Sequence, residues 1–185
     1  MISQFLIKLM TPLTQNRAMF IVWIVFVGFF LWLGELDSEL KAMGGGNGVL
    51  DLQFAFTPER ASAIISQWGS AGRSLALTGI FYDCFYPISY GLVLMTLILR
   101  VMGSEHKQST RLLWLPVVAV ILDYAENLIH YRVLGSYSEM TSLSWIPLAS
   151  GFATVKWALI AITVLIVLVT LIQGWRLSLK SVQRG

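Results

Sequence analysis

Four long stretches of the chain are apolar and nearly free of charge: 18–33, 74–99, 112–134 and 147–173. A helix rises about 1.5 Å per residue and a bilayer core is about 30 Å thick, so each stretch reads as a membrane span. Ahead of them, Ile2, Phe5, Leu6, Leu9 and Met10 fall on one helical face. That pattern predicts a short amphipathic helix on the membrane surface, ended near Pro12. After the first span, Gly34-Glu35-Leu36-Asp37 offers no small-x-small cleavage site. The span is therefore expected to be an uncleaved anchor.

Segment 34–72 is the longest one outside the spans. Glu35, Asp37 and Glu39 suggest an acidic helix end or turn, and Gly44 to Gly48 a flexible hinge. Leu50, Leu52, Phe54 and Phe56 then alternate with Asp51, Gln53 and Ala55. Period two predicts an extended segment with one apolar face. Thr57-Pro58 reads as N-cap and first residue of a helix whose apolar face is Ala61, Ile64, Ile65 and Trp68, closed by Gly69. The whole segment is expected to form a lid over the bundle or a passive interfacial loop. The predicted fold is an all-α integral membrane protein. It is one domain over 1–185, an antiparallel four-transmembrane-helix bundle with a short external amphipathic helix or lid between spans 1 and 2.

Composition agrees. The chain is 56% hydrophobic and 12% charged, with mean hydropathy +0.72. Soluble domains carry about twice that charge. The single cysteine, Cys84, precludes an intrachain disulfide and is expected in the core. The net charge of +3 is spread over tails and short turns, so nucleic acid is not an expected partner. Basic residues dominate the N-terminal tail, the 100–111 turn (with His106 against Glu105) and the C-terminal tail, whereas segment 34–72 is acidic. The positive-inside rule then places both termini in the cytoplasm, as expected of a multi-pass bacterial inner-membrane protein, with 34–72 and 135–145 outside.

Against this apolar background, the third span carries Asp123, Glu126, Asn127 and His130 at i, i+3, i+4 and i+7. A helix lines them up on one stripe, and ionisable groups at membrane depth seek partners. Given the orientation, Asp83 and Lys156 lie at the same outer level, so the other spans are expected to pack around the stripe. Pro87 should bend the second span just past Asp83 and free a carbonyl that needs a partner. Three carboxylates beside one lysine cannot all stay ionised there, so one is expected to hold a proton. That is the raw material of acid–base chemistry or a proton relay. Asp83, Asp123 and Glu126 are the candidate acid–base groups. Tyr82, Tyr86, Asn127, His130, Lys156 and Arg73 are candidate ligand contacts, with Tyr90 and Tyr124 as further hydroxyls. Glu126 and His130 have the i, i+4 spacing of a metal pair, but two histidines in the chain make a weak donor set. No cofactor is expected, and no nucleophile elbow, P-loop or dinucleotide fingerprint is present.

The run FTPERASAIISQWGSAGR, followed by YDCFYP, DYAEN and a last span with KW, resembles an uncharacterised family of small bacterial four-span inner-membrane proteins. The resemblance covers most of the chain from Leu50 onward and implies a shared fold without an activity. Asp83 to Pro87 is also similar to the acid-before-proline feature of the sterol isomerase and sigma-2 receptor family. The paired histidine and acid motifs of those isomerases are missing, so no catalytic residue is carried over. That likeness implies an amphiphile pocket between helices.

The leading expectation is an outer-leaflet polar pocket that binds, and by acid–base chemistry would act on, a lipid-like or amphiphilic molecule. An accessory or assembly subunit with a structural polar cluster is the alternative. A proton- or ion-coupled transporter, working as a homo-oligomer, is a third. Enzyme and non-enzyme readings both stand at this point. Expected partners are membrane lipids, the amphiphile, and either further copies of the chain or a larger membrane complex.

Overall fold

A computed structural model describes residues 2–103, 107–137 and 140–182. All regular structure among them is helical: α1 (Ile2–Met10), α2 (Asn16–Met43), α3 (Val49–Gln53), α4 (Pro58–Asp83), α5 (Tyr86–Met102), α6 (Lys107–Leu112), α7 (Trp114–Gly135) and α8 (Ile146–Val182), with 3-10 turns at Thr11–Thr14 and Met140–Trp145. Four helical stretches are long and apolar enough to cross a membrane: α2, α4 with α5, residues 109–135, and α8. His106 and Glu105 lie outside the described residues.

The predicted spans are cores of longer helices. The first runs on through the acidic stretch to Met43, where Asp37 and Lys41 pair across one turn at 2.7 Å. Thr57 caps α4 by accepting from the Arg60 N–H, and Ala61, Ile64, Ile65 and Trp68 are buried as the period-3.6 pattern requires. Gly69 (φ 62°, ψ −167°) leaves helical geometry and divides α4 at a kink, so the helix that Thr57 caps closes there as the sequence predicts and a second helical stretch resumes after it.

The extended segment predicted at Leu50 to Phe56 is instead a helical turn, α3, followed by a bend. Short-range chemistry overrides the alternation. Gly48 N–H donates to Asp51 Oδ2 at 2.8 Å, and Val49 N–H donates to Asp37 Oδ1 at 2.6 Å, so two orphan amides of the first turn are satisfied. The glycine run is not a loose hinge either. Trp68 Nε1 donates to Asn47 O at 2.8 Å, and the indole packs against Gly44 where no side chain would fit.

The second span is broken after Asp83, with Pro87 in the first turn of α5. The carbonyl of Cys84 accepts from the Tyr124 hydroxyl at 2.5 Å, the partner that the break demands. Cys84 itself is exposed on the flank of the bundle, not in the core as expected, because the break turns it outward.

The helices run alternately up and down. One end is closed by Leu40, Leu52, Ala55, Ala61, Ile64, Ile65, Trp68, Val133, Leu134, Leu143 and Ile146, the lid end. The far end is closed by Met10, Met95, Ile98, Leu99, Leu113 and Val167, so α1 docks on the bundle rather than lying apart from it. α7 and α8 form the most extensive pair, with Ala149, Ser150 and Ala153 fully buried. Such small side chains allow close approach. α2 packs chiefly on α4 and α5. Phe26 stacks on Tyr86, Phe29 on Phe85, and Trp32 meets Tyr82 edge-on. The stripe on α7 is thus surrounded by α4, α5 and α8, and α2 stands outside that ring.

Candidate functional site

Burial separates the polar residues into two layers. The inner layer is a closed network joining α5, α7 and α8. Lys156 Nζ lies 3.0 Å from Asp123 Oδ1 and 2.7 Å from Glu126 Oε2. Tyr90 donates its hydroxyl to Asp123 Oδ2 at 3.0 Å. Asp123 and Lys156 are 3% exposed and Glu126 is 0% exposed. Removing such charges from water costs several kcal/mol apiece, which only mutual pairing offsets.

The outer layer is Asp83, Asn127 and His130. Asn127 donates Nδ2 to Asp83 Oδ2 at 2.6 Å, bridging α7 and α4. His130 turns Nδ1 toward Glu126 Oε1 at 3.7 Å, so the layers meet there. Neither Glu126 Oε1 nor His130 Nε2 has a hydrogen-bond partner among the described residues, although His130 is only 3% exposed. An unmatched polar atom in such a place is expensive and calls for an explanation.

These three residues floor a cavity of about 220 Å³ between α2, α3, α4 and α7. Its walls are mainly apolar, including Leu40, Leu52, Trp68, Ile80 and Leu134. Asp37 lines it at the lid, and Tyr86 and Trp157 also border it. The lid is tied down on both sides. Trp157 Nε1 donates to Gln53 Oε1 at 3.3 Å, and Phe56 N–H donates to Ser150 Oγ at 3.0 Å, with Phe56 at a positive φ of 58°.

Of the sequence candidates, Asp83, Tyr86, Asn127 and His130 border the cavity; Asp123, Glu126 and Lys156 are sealed behind it. Tyr82 faces Trp32 and Phe81, and Arg73 sits 5.0 Å from the centre of the Tyr137 ring. Neither reaches the cavity. Gln53, Asp37 and Trp68 went unselected because their place at the mouth depends on the α3 turn. Trp157 was visible only as the neighbour of Lys156. As for a metal, the ammonium of Lys156 already lies between the two carboxylates. No three of His, Cys, Asp and Glu converge among the described residues.

Comparisons with family models, curated proteins and solved structures find no match to this chain.

Proposed function

We propose that this is a multi-pass inner-membrane protein, with both termini cytoplasmic, whose lid-end cavity binds a lipid-like or amphiphilic molecule. The observation that carries this reading is an apolar-walled cavity lined at one end by Asp83, Asn127 and His130, the last with its Nε2 buried and without a partner among the described residues. Apolar walls with a few convergent polar groups are the usual form of a small-molecule site. Asp83, Asn127 and His130 would meet the polar end of the molecule, and Leu40, Leu52, Ile80 and Leu134 its apolar body. Proton exchange with the ligand, if the site is an enzyme's, falls to Asp83 and His130. Glu126 and Asp123 act behind them, through His130 and Lys156.

The accessory reading draws support from the inner layer. A lysine shared by two carboxylates and sealed from the cavity is what a device for fixing helix register looks like. The two readings apply to different layers and are compatible. Transport is less well supported. Beyond Tyr90 the interior is an apolar layer of Leu94 and Ala119, then the far-end cluster. The buried Thr96 and Thr163 turn their hydroxyls back onto their own helices.

The test is mass spectrometry of what co-purifies in mild detergent. Wild type should retain a specific molecule in near-stoichiometric amount. Gly79 and Gly34 line the cavity, and a Cβ added at either has no heavy atom within 4 Å, so the rest of a larger side chain can extend into the open space. Gly79→Leu and Gly34→Leu should therefore fold and lose the molecule. Bulk phospholipid alone, unchanged between wild type and both fillers, would defeat the proposal.

A further inference from the structure

We infer that the occupant's polar end is a hydrogen-bond donor without negative charge, a hydroxyl or an ammonium, and that anionic headgroups are rejected. This rests on the cavity being a binding site and adds what the site would select. Two aspartates, Asp37 and Asp83, line the cavity, and no lysine or arginine does. Lys156 is held by Asp123 and Glu126, Lys41 by Asp37, and Arg73 by Tyr137.

The N–H groups of the wall are mostly spent within the protein. Trp68 donates to Asn47 O, Trp157 to Gln53 Oε1, and Asn127 Nδ2 to Asp83. At the floor this leaves acceptors: the Asp83 carboxylate, the Asn127 side-chain oxygen and His130. His130 Nδ1 lies on the side of Glu126, 3.7 Å from its Oε1 and beyond hydrogen-bond length. Nε2 of the same ring is buried without a partner among the described residues, and a neutral imidazole carries one acceptor nitrogen. Gln53 Nε2 and the Tyr86 hydroxyl remain as donors, and both are neutral. A phosphate or carboxylate placed at the floor would face the Asp83 carboxylate, which no lysine or arginine among the described residues pairs, while the cations Lys41 and Lys156 are already held by carboxylates. A hydroxyl has one hydrogen to give to an acceptor of the floor, and an ammonium has three and a charge opposite to that of Asp83.

The probes are decanol, decylamine and decyl phosphate, which share one chain and differ in the head. Each is titrated into the full-length protein in nanodiscs of zwitterionic lipid, and tryptophan fluorescence is followed, since Trp68 and Trp157 border the cavity. Gly79→Leu and Gly34→Leu in the same nanodiscs report partition into the bilayer alone. Decanol or decylamine should give a saturable signal absent from both fillers, and decyl phosphate should bind at least about tenfold more weakly. His130→Phe should weaken decanol by about tenfold, and Asp83→Asn should do the same to decylamine. Saturable binding of decyl phosphate as tight as that of the other two would overturn the inference while leaving the cavity a binding site. If all three probes behave alike in wild type and both fillers, the binding site itself is refuted.

Discussion

At the scale of the residue, Lys156 is buried between two carboxylates, Asp123 and Glu126. Replacing it with methionine would leave Asp123 and Glu126 facing each other inside the bundle. The expected loss is about 3–5 kcal/mol, the usual cost of removing one partner from a buried pair. Denaturant or thermal unfolding in detergent would measure it. Neutralising both acids as well (Lys156→Met with Asp123→Asn and Glu126→Gln) should recover much of that loss. A single lysine variant as stable as wild type would show that the network bears no weight. Backbone strain gives a second contrast. Gly69 sits in a region of φ and ψ reserved for glycine, so Gly69→Ala should cost about 1–3 kcal/mol although space surrounds it. Gly79→Leu, where an added Cβ also meets open space but φ is not positive, should lower the melting temperature only by what the displaced molecule contributes.

At the scale of the element, the chain announced its long helices and the cap at Thr57 through periodicity and composition. It also announced the stripe on α7, because i, i+3, i+4 and i+7 spacing survives any packing. It did not announce α3. Leu50, Leu52, Phe54 and Phe56 alternate as a strand would, and the helical turn depends on caps from Asp51, within the segment, and from Asp37, twelve residues before Val49. Nor could spacing divide Asp83, Asn127 and His130 from Asp123, Glu126 and Lys156. That division depends on how far each helix is rotated, which the sequence leaves free. Two predictions belong here. Asp51→Ala removes the carboxylate that receives Gly48 N–H, so hydrogen exchange across 48–53 should accelerate, with a stability loss of about 1 kcal/mol. Tyr124→Phe removes the hydroxyl that serves the Cys84 carbonyl and should cost about 0.5–1.5 kcal/mol in the same unfolding assay.

At the scale of the molecule, the two ends differ. The lid end gathers α3, the start of α4 and residues 143–146, whereas the far end gathers α1, the end of α5 and residues 112–113. The positive-inside rule predicts that the lid faces outside. In a Cys84→Ser background, an impermeant maleimide added to intact cells should label Glu59→Cys, which is exposed near the start of α4. It should spare Gln15→Cys, exposed just ahead of α2, until the membrane is opened. The reverse pattern would invert the topology and put the cavity at the inner leaflet.

The lysine shared between α7 and α8 has a consequence for how the chain is made. The ribosome delivers Asp123 and Glu126 before the cation that neutralises them exists, since Lys156 belongs to the last helix. A lone α7 entering lipid would carry two uncompensated acids, and a lone α8 an uncompensated base, each disfavoured by several kcal/mol. The two helices are joined by the short stretch 136–145 and would leave the insertion machinery together, as a preassembled hairpin. Truncation before residue 146 should accordingly strand α7 outside the bilayer and mark the nascent chain for proteolysis.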